Sequence, residues 1–578
     1  MRPIALRSTG RKDATQPPRF AQRGRKAKRA PMTADQYDIV VVGGGHNGLV
    51  CAFYCARAGL KVLAVERRAI VGGAAVTEEF APGFRNSTAS YTVSLLHPKV
   101  IAEMGLVAHG LTIVQRRMQN FLPLNEREYL AVGRGRTKGE VAKFSRADAE
   151  RLDGFNARLG VLADAVRELL LVTPPKTIET GWTAAIPELL KAGSVARRLS
   201  RLDTVAKRDL LALFGQSAGE WLDGWFESDP IKAALGFDAI VGNYASPYGP
   251  GTGYVLLHHG IGEVNGVKGA WGHAIGGMGA ITKAMAAACR DAGVEIRTGA
   301  EVREVILEEG RAAGVNTATG EAFRARAVAA NVNPKLLFLS LVDTTLLPAD
   351  FVERMRRYRC ASGTFRMNVA LAELPRFSCL PEPGDHLTAG IVIAPSLAYM
   401  DRAYSDARAS GWSKTPIVEI LVPSVLDGSL APEGKHVASL FCQHTAPELP
   451  DGSSWDAHRD EVADLMIDTV DRYAPGFRTS VIARSVLTPL DLERTFGLIG
   501  GDIMHGSLAP DQLFAARPVL GHGNYRSPIP GLYMCGAGTH PGGGVSGIPG
   551  HNAAREIVKD VPRRSSADTI ANVFPVSR

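Results

Sequence analysis

Residues 37–66 read YDIVVVGGGHNGLVCAFYCARAGLKVLAVE, and this stretch decides the fold. The run Tyr37–Val42 is apolar and β-branched, which predicts a parallel strand buried on both faces. Apolar residues in Asn47–Gly59 recur at helical spacing, and a glycine ends the pattern. Lys61–Val65 predicts a second strand. The stretch therefore predicts a βαβ unit of the kind that binds dinucleotides.

The turn between the first strand and the helix satisfies the spacing G-x-G-x-x-G at Gly43, Gly45 and Gly48. The first glycine permits a tight turn, the second lets the backbone approach a pyrophosphate, and the third lets the helix pack closely on the strand. His46 and Asn47 stand at the start of the helix, where unpaired N–H groups favour an anion. We expect all five residues to contact a dinucleotide.

Glu66 closes the second strand, where a carboxylate can accept hydrogen bonds from a ribose diol. This fingerprint alone fits NAD and FAD equally. Gly72 and Gly73 follow closely, and a double glycine here resembles the flavoprotein pattern in which the loop passes over the diphosphate and ribityl chain. An ordinary surface loop is the alternative interpretation of this pair.

A second glycine-rich stretch, GLYMCGAGTHPGGGVSGIPG, occupies residues 531–550. It predicts a short strand at Leu532–Cys535, a loop, and a helix from His551 to Val558. Backbone N–H groups at the start of such a helix can stabilise negative charge, as a reduced flavin requires. The stretch therefore favours FAD.

The chain has 578 residues, which predicts two or three domains. Its net charge is +8, but residues 1–32 alone carry ten Lys or Arg against one Asp. The remainder is close to neutral, so we expect no nucleic-acid partner. No run of 18 or more apolar residues occurs, and no transmembrane helix is predicted.

The basic N-terminal segment lacks the apolar core of a secretory signal. We expect a disordered tail, with Met32 as a second candidate start, although a mitochondrial transit peptide is also Arg-rich and acid-poor. The seven scattered cysteines favour a reducing compartment. The expected location is a bacterial cytoplasm with peripheral membrane contact as an option, and the alternative is the mitochondrial matrix.

Five stretches carry a more specific resemblance: VVVGGGHNGLVCA, GGAAVTEEFAPGF, GGMGAITKAM, GGDIMHGSL and GLYMCGAGTHPGGGVSGIPGHNAA. Together they resemble the phytoene dehydrogenase-related FAD oxidoreductases, and in particular the branch named pyridine nucleotide-disulfide oxidoreductase domain-containing protein 2. The resemblance implies an α/β fold. Its Rossmann-like FAD-binding domain is split in the sequence by an inserted α+β substrate domain.

The implied limits divide the chain into tails and two domains. The tails are residues 1–35 and 563–578, the FAD-binding domain is 36–125, 265–335 and 486–562, and the substrate domain is 126–264 and 336–485.

The resemblance also implies further cofactor contacts. Val302 corresponds to the position whose backbone contacts the adenine, and the loop after Glu66 includes Arg67 and Ala74. Many desaturases have Arg where Ala74 stands. This difference argues against a carotenoid substrate more than it argues against FAD as the cofactor. The remaining implied contacts, to the flavin ring, are Gly536, Gly544, Val545 and Ile548.

The expected function is FAD-dependent dehydrogenation, saturation or isomerisation of C–C bonds in a small apolar, isoprenoid-like or lipid-like substrate. No second nucleotide fingerprint follows, so we expect electrons to pass to a quinone, to oxygen or to a protein such as a respiratory-chain partner. One alternative is a FAD-bound regulatory protein that acts through a partner complex. Another is a flavin amine oxidase, although no aromatic residue lies between Cys535 and Arg555.

No catalytic residue stands out. His505 and His540 lie in the resembling motifs and are weak candidates, because buried histidines more often have a structural role. The histidines show no metal-ligand spacing, so no metal is expected. Cys51 and Cys55 belong to the first helix, and we interpret them as buried hydrophobes and not as a redox pair.

The segment Leu189–Phe214 is rich in leucine and in arginine. It fits an amphipathic helix that rests on a membrane surface, and it fits a solvated helix of the substrate domain equally well.

Overall fold

The computed structural model describes residues 36–176 and 182–562. Both predicted tails, 1–35 and 563–578, lie outside these residues. The strands and helices below are numbered in chain order.

The strands are β1 (Tyr37–Val42), β2 (Val62–Val65), β3 (Thr77–Ala81), β4 (Phe84–Ser87), β5 (Ile113–Gln115), β6 (Asn120–Pro123), β7 (Tyr129–Val132), β8 (Glu263–Val264), β9 (Val267–Lys268), β10 (Gly272–Ala274), β11 (Glu295–Arg297), β12 (Val302–Glu308), β13 (Arg311–Thr317), β14 (Ala322–Ala330), β15 (Phe365–Leu371), β16 (Gly390–Ile393), β17 (Trp412–Leu421), β18 (His436–Thr445), β19 (Val481–Leu487) and β20 (Leu532–Met534).

The α-helices are α1 (His46–Arg57), α2 (Pro98–Glu103), α3 (Thr137–Val141), α4 (Arg146–Leu170), α5 (Trp182–Ser200), α6 (Thr204–Gly215), α7 (Ala218–Asp223), α8 (Asp229–Phe237), α9 (Thr252–Gly260), α10 (Met278–Asp291), α11 (Pro334–Leu336), α12 (Ala349–Arg357), α13 (Leu397–Ser410), α14 (Trp455–Asp471), α15 (Phe477–Ser480), α16 (Pro489–Phe496) and α17 (Ile548–Asp560).

The first large sheet has a parallel core in the order β11-β2-β1-β14-β20. Strand β13 extends the sheet by antiparallel pairing with the first half of β14, and β12 pairs antiparallel with β13. Because β1 is central, with α1 packed on one side, all six of its residues are buried. This burial explains why its sequence is an unbroken apolar run.

The parallel core confirms the predicted Rossmann-like unit. Its strands come from three separate parts of the chain, around residues 37–65, 295–330 and 532–534, as a domain split in the sequence requires.

The second large sheet has the order β19-β15-β18-β17-β16-β6-β7. Its pairs are antiparallel, apart from the parallel contact between β16 and β6. Helix α14 packs on one face through Trp455, Val462 and Met466. This sheet and its helices give the α+β layer that the resemblance implied.

Sheet membership differs from two of the predicted domain limits. Strand β6 lies before residue 125 yet hydrogen-bonds into the second sheet, and the limit at 485 falls inside β19. A short strand carries little sequence signal about its partner, because pairing is decided by residues far away in the chain. The domain limits themselves remain a prediction.

Two predicted helices also differ from the observed ones. The segment Leu189–Phe214 forms parts of two helices, α5 and α6, because Asp203 caps the start of α6 through its side chain. The last helix begins at Ile548, before the predicted His551. Pro549 is tolerated in its first turn, where a backbone N–H would have no helical partner.

Helices α1 and α17 pack closely because Gly550 has no side chain. A Cβ at Gly550 would lie 2.1 Å from the backbone oxygen of Asn47. We expect Gly550→Ala to destabilise the fold by about 2 kcal/mol or more, since neither backbone can yield. Urea unfolding followed by circular dichroism measures this change.

Gly160→Ala is the matched control, because Gly160 lies in α4 and a Cβ there meets no atom within 4 Å. This substitution should stabilise the protein by about 0.5–1 kcal/mol through helix propensity. Equal effects of the two substitutions would contradict the close packing of α1 and α17.

Candidate dinucleotide site

The glycine turn after β1 is built around Asn331, the first residue after β14. A Cβ at Gly43 would lie 2.8 Å from the Asn331 carbonyl oxygen, and a Cβ at Gly45 or Gly48 would lie 2.9 Å from its side-chain nitrogen. The Asn331 amide donates a hydrogen bond to the Gly43 oxygen at 3.1 Å. All three glycines are therefore needed where the turn packs against this asparagine, and a Cβ at Gly48 would also lie 2.1 Å from the Gly43 oxygen.

Glu66 lies at the end of β2 and is almost completely buried. One carboxylate oxygen accepts a hydrogen bond from the Gly44 N–H at 2.9 Å, and the other accepts one from the Arg68 N–H at 2.9 Å. These two bonds hold the carboxylate at the edge of the cavity described next.

A cavity of about 240 Å³ follows the carboxyl ends of β1, β2 and β14. In a parallel sheet this edge is where ligands bind. The cavity wall contains nine of the predicted contact residues, namely Gly43, Gly45, His46, Asn47, Glu66, Arg67, Gly73, Ala74 and Val302.

The double glycine adjoins the glycine turn, and its predicted position over the cofactor remains a prediction. The Gly72 N–H donates to the Gly44 oxygen at 2.8 Å, and a Cβ at Gly73 would lie 3.2 Å from the Gly45 Cα. This loop therefore lies directly over the start of α1.

The C-terminal loop approaches the same place from β20. A Cβ at Gly536 would lie 3.0 Å from the side-chain oxygen of Asn331, so the loop and the glycine turn share one neighbour. Further on, a Cβ at Gly544 would lie 2.3 Å from Leu95. Val545 has a positive φ of 57°, and Ile548 opens α17 in a buried position.

His46 and His505 are both half-buried and both lie in the cavity wall. Burial, with the charge of His505 as a smaller effect, lowers the pKa of His46 to about 3. Burial and then the charge of Arg517 lower the pKa of His505 to about 4. His46 Nε2 and His505 Nδ1 have no hydrogen-bond partner among the described residues. Both rings are therefore neutral at pH 7 and able to meet a ligand.

His540 has a different environment from His505. Its Nε2 atom lies 3.0 Å from the Leu169 oxygen, a hydrogen bond that joins the C-terminal loop to the end of α4. This contact agrees with the structural role that is common for buried histidines.

Cys51 and Cys55 are completely buried within α1. Hydrogen bonding to Cys535, followed by burial, raises the pKa of the Cys51 thiol well above its usual range. A thiol in this environment is unreactive, which agrees with the interpretation of this pair as buried hydrophobes.

The cavity wall also contains residues that were not predicted as contacts, among them Asn331, Asn333 and Phe496. Asn331 had a usable signal, since it directly follows a buried strand, and ligand-binding residues gather at strand ends in parallel sheets. Phe496 had none, because it ends α16 in a distant part of the chain.

Within residues 36–176 and 182–562, no group of three or more His, Cys, Asp or Glu is arranged to hold a metal ion. Over the same ranges no helix combines the length and apolarity needed to cross a bilayer.

Comparison with known proteins agrees with this geometry. Residues 41–103 match the family model of the NAD(P)-binding Rossmann-like domain. A Rattus norvegicus protein, pyridine nucleotide-disulfide oxidoreductase domain-containing protein 2, is 40% identical over 91% of this chain and 94% of its own length.

A more distant relative is the lycopene-forming phytoene desaturase of Pseudescherichia vulneris. It is 25% identical over 88% of this chain and 96% of its own. Among solved structures, cyclohexylamine oxidase of Brevibacterium oxydans has a TM-score of 0.56 at 16% identity and covers 91% of this chain and 100% of its own. At that identity the likeness concerns the fold alone.

The histidine pair predicts a pH dependence of stability. The folded pKa of His505, about 4, is below the ordinary value of 6.5. The stability that depends on a neutral His505 is therefore fully present above pH 6.5. It is lost as the pH falls towards 4, because the unfolded chain binds the proton more readily than the folded chain. From pH 7 to 5.5 this loss is roughly 1 kcal/mol.

Between pH 7 and 5.5 the free energy of unfolding falls in the parent protein. In His505→Gln we expect this fall to be smaller by roughly 1 kcal/mol, because glutamine does not bind a proton. Urea unfolding at the two pH values measures both changes. The same change in the free energy of unfolding with pH for both proteins would contradict the lowered pKa of His505.

Proposed function

The chain belongs to the family of pyridine nucleotide-disulfide oxidoreductase domain-containing protein 2, and on this basis we propose that it is a FAD-dependent oxidoreductase. Its proposed substrate is an apolar, isoprenoid-like or lipid-like molecule in which a C–C bond is dehydrogenated, saturated or isomerised. The observation that carries the proposal is the meeting of the glycine turn and the C-terminal loop at Asn331.

The residues around the cavity fit the adenosine and diphosphate parts of FAD. Gly43 and Gly45 lie in the cavity wall at the start of α1, where the N–H groups at the helix start would bind a pyrophosphate. Glu66 would accept hydrogen bonds from the ribose, and Val302 would lie beside the adenine. The unpartnered nitrogen of His46 and side-chain oxygen of Asn47 are polar atoms that a bound cofactor would meet.

The C-terminal loop fits the flavin part. Helix α17 is 13 residues long, and the positive end of its dipole lies at Gly547 and Ile548. FAD, when bound, would supply the acceptance and return of a hydride. The chain would contribute the stabilisation of negative charge at this helix end and the exclusion of water by the loop.

An apolar substrate is supported by two cavities beside the C-terminal loop. One, of about 170 Å³, is lined by Leu95, His258 and Gly543 among others. The second is a groove of about 680 Å³ with a mostly apolar lining. Because both include Leu96 and Pro98 in their walls, they adjoin each other. The phytoene desaturase among the relatives acts on an apolar polyene.

Transfer of a hydride directly between the substrate and the flavin would need little acid–base help. This agrees with His46 and His505, which burial keeps neutral and unable to donate as imidazolium at pH 7. The proposed final electron acceptor is a quinone, oxygen or another protein.

The visible spectrum of the purified protein tests the cofactor. We expect a flavin spectrum, and we expect Glu66→Gln to lower FAD affinity about tenfold, because a ribose hydroxyl binds more strongly to a carboxylate than to an amide. Glu150→Gln, on the exposed surface of α4, is the control and should bind FAD normally. A colourless protein that takes up no added FAD would overturn the proposal.

Anaerobic bleaching tests the substrate class. Polyenes, fatty compounds and amines are each added to the FAD-loaded protein, and the absorbance of the oxidised flavin is followed. We expect bleaching by polyenes or fatty compounds. Bleaching by amines alone would indicate an amine oxidase, and a flavin that no compound reduces would favour the regulatory protein.

We also propose that α5 and α6 contact a membrane surface with anionic lipids. Leu189 and Leu190 are 64% and 71% exposed, and Leu211 on α6 is 76% exposed. Arg197 and Arg198, on the same helix as the first two, are also exposed. Exposed leucines with nearby arginines match the two parts of a membrane surface, its apolar interior and its negative headgroups.

Flotation with phosphatidylcholine–phosphatidylserine vesicles tests this contact. We expect Leu189→Ser combined with Leu190→Ser to reduce the bound fraction several-fold, since each exposed leucine contributes buried apolar area. Leu346→Ser is the control, because Leu346 is 57% exposed at a different place. Equal binding by both variants, or no binding by the parent protein, would contradict the proposal.

A further inference from the structure

A group of charged and polar side chains, some buried and some half-buried, lies where segment 88–93 meets the second sheet. Its members are joined by Tyr91, whose hydroxyl donates to the Glu419 carboxylate at 2.6 Å and whose ring lies 4.7 Å from the Arg366 guanidinium. Arg116 and Asp238 are close enough for their charges and that of Glu419 to shift each other's pKa. We call these five residues the Arg116 cluster.

Arg116 itself is only 8% exposed and poorly paired. One terminal nitrogen donates to the Thr92 hydroxyl, and the guanidinium lies 5.8 Å from the centre of the Trp271 ring. Among the described residues no carboxylate lies within 4.0 Å of it, and no side-chain hydrogen bond is formed by its other two nitrogens. Glu419 and Asp238 act on Arg116 through their charges but form no direct ion pair with it, so its guanidinium can still pair with an anion.

Two other buried arginines show what a purely structural guanidinium looks like here. Arg366 donates to the Ala89 and Leu440 oxygens and to the Ser439 hydroxyl. All three nitrogens of Arg517 donate to backbone oxygens, including that of Ala537. Arg116 lacks such a set of acceptors, and this difference separates it from a structural role.

The two carboxyl groups of the cluster do not neutralise it. Glu419 is occupied by Tyr91, whereas Asp238 has no hydrogen-bond partner among the described residues. Burial, and next the charge of Glu419, raise the pKa of Asp238 to about 7. Burial also raises the pKa of Glu419, so this environment opposes a negative charge on both carboxyl groups.

A small residue keeps space between the charges. A Cβ at Gly390 would lie 2.7 Å from Glu419 Oε1 and 3.3 Å from Arg116 Nη1. Because Trp271 covers one face of the guanidinium, the in-plane N–H groups remain for a ligand, and carboxylates bind arginine in that plane.

The cluster is near the C-terminal loop. Tyr91 precedes Leu95 by four residues, and a Cβ at Gly544 would contact Leu95. Four residues span at most about 14 Å. From the other side, Gly242, four residues after Asp238, would place a Cβ 2.8 Å from Met504. A molecule of ordinary lipid length can therefore reach both places.

We propose that the Arg116 cluster binds a carboxylate at one end of an otherwise apolar substrate. The guanidinium of Arg116 pairs with the carboxylate, and the apolar part extends towards the C-terminal loop. The inference rests on the proposed function for its apolar part, and it narrows the substrate class to apolar acids.

The test compares acids with their methyl esters. Oleic, geranic and retinoic acid and the three esters are titrated into the full-length protein with FAD added, and dissociation constants are measured by calorimetry. We expect at least one acid to bind about tenfold or more tightly than its ester, since esterification removes the charge that Arg116 pairs with.

Arg116→Gln should abolish this preference. Arg117→Gln, next in the chain but 71% exposed at its side chain, should retain it. The acid–ester comparison on the parent protein remains decisive even if Arg116→Gln does not fold. The proposal is overturned if no acid is preferred over its ester, or if folded Arg116→Gln keeps the preference.

Failure of this inference is distinguishable from failure of the FAD assignment. The visible spectrum reports the cofactor, whereas the acid–ester preference is an equilibrium measurement that needs no turnover. A yellow protein without preference would overturn the carboxylate site alone.

Discussion

The fold around the site depends on the close contact of two backbone turns with the side chain of Asn331. Three glycines after β1 and one after β20 surround this residue, and a Cβ at any of them would come within 3.0 Å of it. The N-terminal and C-terminal parts of the chain are therefore fixed against the same residue from the middle of the chain. A site assembled from three distant segments needs a residue that contacts all of them, because nothing within one segment fixes its position relative to the others.

Arg517 joins distant segments of the chain, as Asn331 does. Its guanidinium donates to the backbone oxygens of Met504 and Gly506 and to that of Ala537. These bonds tie the segment that contains His505 to the C-terminal loop. Backbone oxygens are good partners for a buried guanidinium, because five N–H groups in a fixed plane can satisfy several at once. The hydrogen bonds of Arg517 therefore help to hold His505 in the cavity wall.

The sequence predicted the parts of this site that depend on local geometry. Gly43, Gly45 and Gly48 were recognised because a tight turn before a helix restricts residue type at three positions. Phe496 and the Arg116 cluster were not predicted, because their neighbours lie far away in the chain and no spacing rule connects them. The same reason explains β6, because two of its residues, Asn120 and Phe121, pair with Gly390 and Ile391 far away in the chain. Local constraints are visible in a sequence, whereas long-range pairing is decided by packing.

The distribution of charge inside the molecule separates two tasks. Around the cavity the two histidines are neutral, and the charged side chains in its wall are Glu66, Arg67, Arg68, Glu301 and Arg303. A second group of charged side chains lies around Tyr91 and Glu419, on the second sheet and the segment that faces it. The neutral histidines suit the proposed hydride transfer, which needs no proton at the cavity, and the proposed carboxylate site depends on the second group of charges. The two groups lie on different sheets, so the fold can hold both.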